Sequence, residues 1–169
     1  LADVFVYDPE EDVWGEGTRM DTARFDAFAT EVEGRIFVFG GCDGQRDFRV
    51  NESVSPLRLE NGENDWMNEE PLPTNLFGMS AVNLADKIYV FNGTSTDETD
   101  IDQMYFSVYE KKWSIVEPAV KTDRPITHSA VVSVGEYVYI IGGNVQNLAI
   151  NRNISYRAVY TIMLPFTIN

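Results

Sequence analysis

The stretch Thr127 to Gly143, THSAVVSVGEYVYIIGG, decides how the rest of the chain is read. Ser129 to Val134 is a run of small and β-branched residues, and Gly135-Glu136 is a two-residue turn. Tyr137 to Ile141 is a second β-rich run, halted by Gly142-Gly143. Two such runs joined by a Gly-containing pair form a hairpin signal. An isolated hairpin is marginal in water, so it needs partners.

The partners lie in the same chain. GMSAVNLADKIYVFNG (Gly78 to Gly93) and DAFATEVEGRIFVFGG (Asp26 to Gly41) repeat the pattern at a period of about 50 residues. Ala29, Ala81 and Val131 align, as do Val32, Leu84 and Val134, and Phe37, Tyr89 and Tyr139. Each copy ends in Gly40-Gly41, Asn92-Gly93 or Gly142-Gly143, where a positive φ is expected that Gly and Asn accept. A further β-like segment and a Trp follow two copies: Pro56 to Leu59 with Trp66, and Phe106 to Tyr109 with Trp113. VFVYDPEEDVW (Val4 to Trp14) opens the chain with the same tail.

These residues resemble the kelch repeat: a hydrophobic strand, a strand ending in Gly-Gly, a Tyr-bearing strand (Tyr7, Tyr109) and a closing Trp. Met20-Asp21-Thr22-Ala23-Arg24 is similar to the family's lead into its first strand. The sequence departs from the pattern where Asn92 replaces a Gly, where Leu59 stands for the Tyr, and where the first-strand His occurs only as His128. The resemblance implies an all-β, kelch-type β-propeller, here a partial ring of about three four-stranded blades. Residues 1–169 read as one repeat region: 1–16 are outer strands of a first blade, 17–68 and 69–116 are blades, and 117–169 is a partial last blade. The c and d strands are expected at Asp3–Tyr7 with Val13–Trp14, Pro56–Leu59 with Asp65–Met67, Tyr105–Tyr109 with Lys112–Ile115, and Ser155–Leu164. No stretch reads as a helix. The recurring Trp14, Trp66 and Trp113 are expected to pack between blades.

Such an arc leaves apolar faces and unpaired edges. The remaining blades of a longer chain are expected to close the ring. The alternative is a second copy, with Asp3 to Trp14 of one completing the blade begun by Ser129 to Ile141 of the other.

At 169 residues and 44% hydrophobic content, the chain can bury a substantial core. A formal charge of −14 repels phosphate backbones and anionic membranes, so nucleic-acid binding is not expected and a basic or neutral protein partner is. No apolar run reaches the roughly 20 residues needed to cross a bilayer, so no membrane insertion is expected. The opening LADVFVYD lacks the basic and apolar character of a leader peptide. Cys42 stands alone, which excludes an intrachain disulfide and a cysteine-based zinc cage; a structural thiol at a strand end is expected. Asn51-Glu52-Ser53, Asn92-Gly93-Thr94 and Asn153-Ile154-Ser155 are glycosylation sequons. Asn92 sits at a crowded strand end, whereas Asn51 and Asn153 fall in expected loops. These leave a secreted location open beside a slightly favoured cytoplasmic one.

Chemistry-bearing groups are few. One histidine, His128, supports neither a multi-histidine copper site nor a catalytic triad, and it is expected to bond within the fold. No cofactor, no metal and no catalytic residue is expected. The acidic run Asp97, Glu98, Asp100 and Asp102 reads as a solvated loop, with contact to a basic partner or a metal as lesser alternatives. In the implied blade, the b–c loops and d–a connections emerge on one face, and the b–c loops are long while the a–b turns are short. Long loops on a rigid scaffold carry recognition. Arg24, Phe25, Phe77 and Arg124 on d–a connections, with Arg46, Phe48 and Arg49 on a b–c loop, make a candidate partner-binding patch. Phe25 and Phe77 occupy equivalent positions, so plugging the propeller channel is an equal alternative for them. The reading is a non-catalytic module for a protein or peptide partner. Its alternative is part of a galactose-oxidase-like kelch enzyme whose ligands come from other blades.

Overall fold

The computed structural model describes residues 1–60, 63–96, 103–116 and 124–157. It opens with a two-stranded sheet, β1 (Phe5–Asp8) antiparallel to β2 (Val13–Glu16). The first full blade follows in the order β3 (Phe28–Val32), β4 (Arg35–Phe39), β5 (Asn51–Val54) and β6 (Met67–Asn68). A short helix, α1 (Pro56–Glu60), interrupts the chain between β5 and β6. The second full blade is β7 (Ser80–Leu84), β8 (Lys87–Phe91), β9 (Gln103–Ser107) and β10 (Lys112–Ile115). The third comprises β11 (Ala130–Val134), β12 (Tyr137–Ile141) and β15 (Asn153–Arg157), with the small hairpin β13 (Asn144–Val145) and β14 (Leu148–Ala149) inside its b–c loop. The inner strands β3, β7 and β11 lie side by side, the arrangement of a partial propeller.

The a–b hairpins form where the sequence places them, and their geometry shows why. Each turn begins at a positive φ, at Glu33 (51°), Ala85 (55°) and Gly135 (60°), as two-residue hairpins require. At the doublets closing the b strands, the first residue has φ near 60°, and Asn92 holds 60° there. The second residue is further from any L-residue minimum: Gly41 at 93°, Gly93 at 95° and Gly143 at 111°. A Cβ on Gly41 would also lie 2.7 Å from the Phe25 carbonyl oxygen.

The outer strands correct the sequence reading. The first blade's c strand is β5 (Asn51–Val54), not Pro56–Leu59, and its d strand is the short β6 rather than Asp65–Met67. Pro56 occupies the first turn of α1, where a missing N–H costs nothing, and Leu57 and Arg58 are good helix formers. The expectation of no helix therefore fails at this point. In the second blade the c strand lies two residues earlier than expected, which leaves Tyr109 exposed in the c–d turn. Tyr7 instead matches Phe106, since each faces the tryptophan of its partner strand. The third c strand is Asn153–Arg157, and the remainder of the expected Ser155–Leu164 lies outside the described residues.

Among the described residues, two cores run between blades. Phe37, Phe39 and Val32 of the first full blade pack on Leu76, Met79, Val90, Met104, Phe106 and Trp113 of the second and its lead-in. Tyr89 and Phe91 then meet Val138 and Ile140 of the third. Each fully buried side chain of this size contributes about 1.5–3 kcal/mol. The tryptophans also fasten blades at their rims. Trp66 Nε1 donates to the Thr18 carbonyl at 3.0 Å and Trp113 Nε1 to the Glu70 carbonyl at 2.8 Å, each on the connection leading into its own blade. Trp14 departs from the expected packing: it is 70% exposed and touches Tyr7, with ring centroids 5.1 Å apart.

The two-copy ring also meets an obstacle. Completing the blade of β11 and β12 with β1 of another molecule needs the free edge of β12, and β15 pairs along all of it, from Tyr137↔Arg157 to Ile141↔Asn153.

Candidate functional site at the loop face

The b–c connections, residues 40–50, 92–102 and 142–152, are equal in length, and the second is described as far as Thr96. Each is stapled to the d–a connection of its own blade by a reciprocal backbone pair. Phe25 and Cys42 exchange bonds at 2.9 Å, Phe77 and Thr94 at 3.0 Å, and Thr127 and Asn144 at 2.9 and 2.8 Å. Neighbouring loops are joined as well, because Asp47 Oδ2 accepts from Thr96 N at 2.7 Å and Thr96 Oγ1 at 2.8 Å. Just ahead of the three a strands, Asp26, Gly78 and His128 all adopt the left-handed conformation, with φ of 52°, 61° and 54°. Gly78 N donates to Asp26 O at 3.1 Å and His128 N to Gly78 O at 2.8 Å, so one backbone chain links three blades.

The side chains expected on this face divide. Arg24 is not on it: its side chain is 0% exposed, and Nη1 contacts Glu52 Oε2 at 2.7 Å, equally buried. Its guanidinium also donates to the Thr22 and Val38 carbonyls, both at 3.0 Å. A charge can enter the interior only with such partners, which removes Arg24 from any partner-binding role. Phe25 is 52% exposed at the loop base. Arg46 lies over the Phe48 ring, 5.4 Å from its centroid, while its Nε meets Asp43 at 3.0 Å. That contact and backbone bonds from Gln45 and Arg46 hold the Asp43 carboxyl below the usual range, the Gln45 bond having the largest effect. Arg49 is exposed and bonds the Leu72 carbonyl through Nε. The acidic run Asp97 to Asp102 lies outside the described residues.

Phe77 and Arg124 come together at a cavity of about 360 Å³ between the second and third blades. Thr94, Pro125, Thr127 and His128 complete its wall, and Gln146 and Asn147 close it from the tip of the β13–β14 hairpin. Sequence reading missed this hairpin. Its signal was present in Val145-Gln146-Asn147-Leu148, a polar pair between apolar residues, with Gln146 and Asn147 at φ 50° and 63° as such a turn demands. His128 bonds within the fold through its backbone, and its Nε2 stands 3.6 Å from Asp26 Oδ2 across Gly78, which carries no side chain to intervene. The lining is chemically mixed: an aromatic ring, a guanidinium, an imidazole, two amides and hydroxyls. The lining thus sets an apolar ring beside hydrogen-bonding groups of both kinds, donors and acceptors.

Among the described residues, no group of three or more His, Cys, Asp or Glu is placed to hold a metal ion, and no helix is long and apolar enough to cross a membrane. Cys42 is buried, and burial above all pushes its thiol up from the ordinary value. Asn51 is not in a loop but buried in β5, where Nδ2 donates to the Glu70 carbonyl at 3.2 Å. Asn92 Nδ2 bonds Ser129 Oγ at 3.2 Å, while Asn153 is exposed at the start of β15.

Comparison with known proteins points to one group. Over 142 residues the chain is 27% identical to Kelch-like protein 35 of Mus musculus, covering 83% of this chain and 23% of that protein. It is 32% identical over 122 residues to Kelch-like protein 40 of Mus musculus, covering 67% and 19%. Against Beta-scruin of Limulus polyphemus it is 28% identical over 148 residues, covering 85% and 16%. The chain thus spans about a quarter or less of the relatives it matches. No family model matches it.

Proposed function

Since the chain is a kelch-repeat protein with the fold of a partial β-propeller, we propose that it is a non-catalytic interaction module that seats a protein or peptide partner on its loop face. The observation that carries this reading is the cavity between the second and third blades, where Phe77, Arg124, His128 and the Gln146-Asn147 tip converge. Rigid strands hold these groups while loops present them, the usual division of labour in recognition. Phe77 supplies an apolar floor, and the amides and guanidinium supply directional bonds, which together fix a peptide's register. Phe25, Arg46, Phe48 and Arg49 extend the surface over the first full blade. Arg24 plays no part beyond holding that blade's interior.

The test selects ligands for the chain from a displayed random-peptide library and measures their affinity for variants. Arg124→Ala or Asn147→Ala should weaken the selected peptides by about 10-fold or more, the loss expected at an interface hot spot. Glu33→Ala and Asp86→Ala, on the short a–b turns of the opposite face, should leave affinity unchanged. The reverse pattern would place the binding face on the wrong side.

A further inference from the structure

We infer that Asp47, on the b–c loop of the first full blade, is a positioning residue for the cavity between the second and third blades, which rests on that cavity being the peptide site proposed above. Asp47 is not among the residues that line it. Its reach comes through Thr96. One carboxylate oxygen, Oδ2, accepts from Thr96 N at 2.7 Å and from Thr96 Oγ1 at 2.8 Å, across 49 positions of sequence. Bonds to a carboxylate are shorter and stronger than neutral ones, and two donors from one residue fix its direction as well as its place.

Thr96 lies two residues beyond Thr94, whose backbone exchanges 3.0 Å bonds with Phe77; Thr94 and Phe77 both line the cavity. On the other side of Thr94, Gly93 N donates to Ile126 O at 2.8 Å. This piece of cavity wall is therefore slung between two anchors, one on the third blade's connection and one on the first blade's loop. Two residues of extended chain span about 7 Å, too little for slack at Thr96 to die out before Thr94. The first and third loops, by contrast, are braced from within. Phe48 N donates to Gly41 O at 2.9 Å and Asp43 N to Arg46 O at 3.1 Å, while Ile150 N donates to Gly143 O at 2.9 Å beside the β13–β14 ladder. Asp47 itself bridges to the buried Cys42, so its carboxylate stands on a stiff base. Arg46 turns instead to Asp43 and the Phe48 ring. The second and third blades line the cavity, and the first sets its shape.

The probe is a peptide selected on the chain from the displayed library, and its affinity is measured for Asp47→Ala, Thr96→Val and the double variant. Asp47→Asn is the conservative change, and Arg124→Ala is the control for the site. Losing the tie should weaken the peptide by about 2- to 10-fold, the equivalent of one net hydrogen bond. The double variant should bind no more weakly than Asp47→Ala, because both changes cut the same link. Asp47→Asn keeps an acceptor oxygen and should recover most of the affinity. Thermal melts should coincide, since both residues lie outside the two cores. In native-state hydrogen exchange, the Phe77 and Thr94 amides should exchange faster in Asp47→Ala. The Thr127 and Asn144 amides, which form the same pair in the third blade, should keep their rates. Unchanged affinity in Asp47→Ala beside a weakened Arg124→Ala overturns the inference and leaves the peptide site standing. Unaltered exchange at Phe77 and Thr94 overturns it without any ligand. An Arg124→Ala that binds normally sinks the peptide site instead, and the exchange rates still decide whether Asp47 holds the cavity wall.

Discussion

At the scale of single residues, backbone conformation explains more of the chain than side-chain chemistry. Ala85 begins its hairpin turn at φ 55°, where its equivalent in the third blade is Gly135. An L-residue other than Gly or Asn loses about 1–2 kcal/mol in this region. Ala85→Gly should therefore raise stability by about 1 kcal/mol in urea unfolding, and a loss of stability would show that the turn has another geometry. Asn92 tells the opposite story: its amide tolerates φ 60° and reaches Ser129, so the apparent flaw in the Gly-Gly pattern is a working substitute. Asn92 was legible in the sequence, because Asn and Gly mark positive φ, whereas Ala85 carries no such mark. Cys42 was legible only in part. Its lone occurrence said nothing of reactivity, whereas burial raises its thiol pKa and keeps the thiolate scarce. Iodoacetamide should label native Cys42 far more slowly than the unfolded chain at pH 8, and equal rates would contradict its burial.

Among the elements, β5 is the one whose sequence misleads. Asn51-Glu52-Ser53 looks like a loop and a glycan acceptor, yet all three residues are buried. The reason is a substitution in kind. Register places Glu52 opposite Val38, Met104 opposite Val90 and Ile154 opposite Ile140, while Arg24 falls where Leu76 and Ile126 stand. One repeat thus uses a buried ion pair where two others use apolar pairs. Arg24→Leu alone or Glu52→Met alone should cost about 3–5 kcal/mol, because each strands a charge in the interior. The double variant restores the composition of the other repeats and should cost less than either single change. Additive losses in a denaturant series would refute the equivalence. Runs of apolar residues closed by short turns found every a and b strand. They could not find a polar c strand whose burial depends on a residue 28 positions away.

Across the whole molecule, burial rises towards the middle of the arc. β8 has four buried residues of five, whereas β4 and β12 alternate buried and more open positions. Trp113→Ala should cost about 3–5 kcal/mol, the range for truncating a buried aromatic. The same change at Trp14 should scarcely alter the thermal melt of residues 1–169. Equal losses at both would mean that the first sheet is packed in solution. The staples at the base of the loops carry a different implication. Each of the three loops leaves its b strand beside the same kind of reciprocal backbone pair, so what lies beyond that pair is interchangeable cargo. Grafting residues 144–152 into the place of 42–50 should leave the blades intact and carry the Gln146-Asn147 tip to a new address. A propeller built this way can acquire a new ligand by trading loops between its own blades, without a single change to a strand.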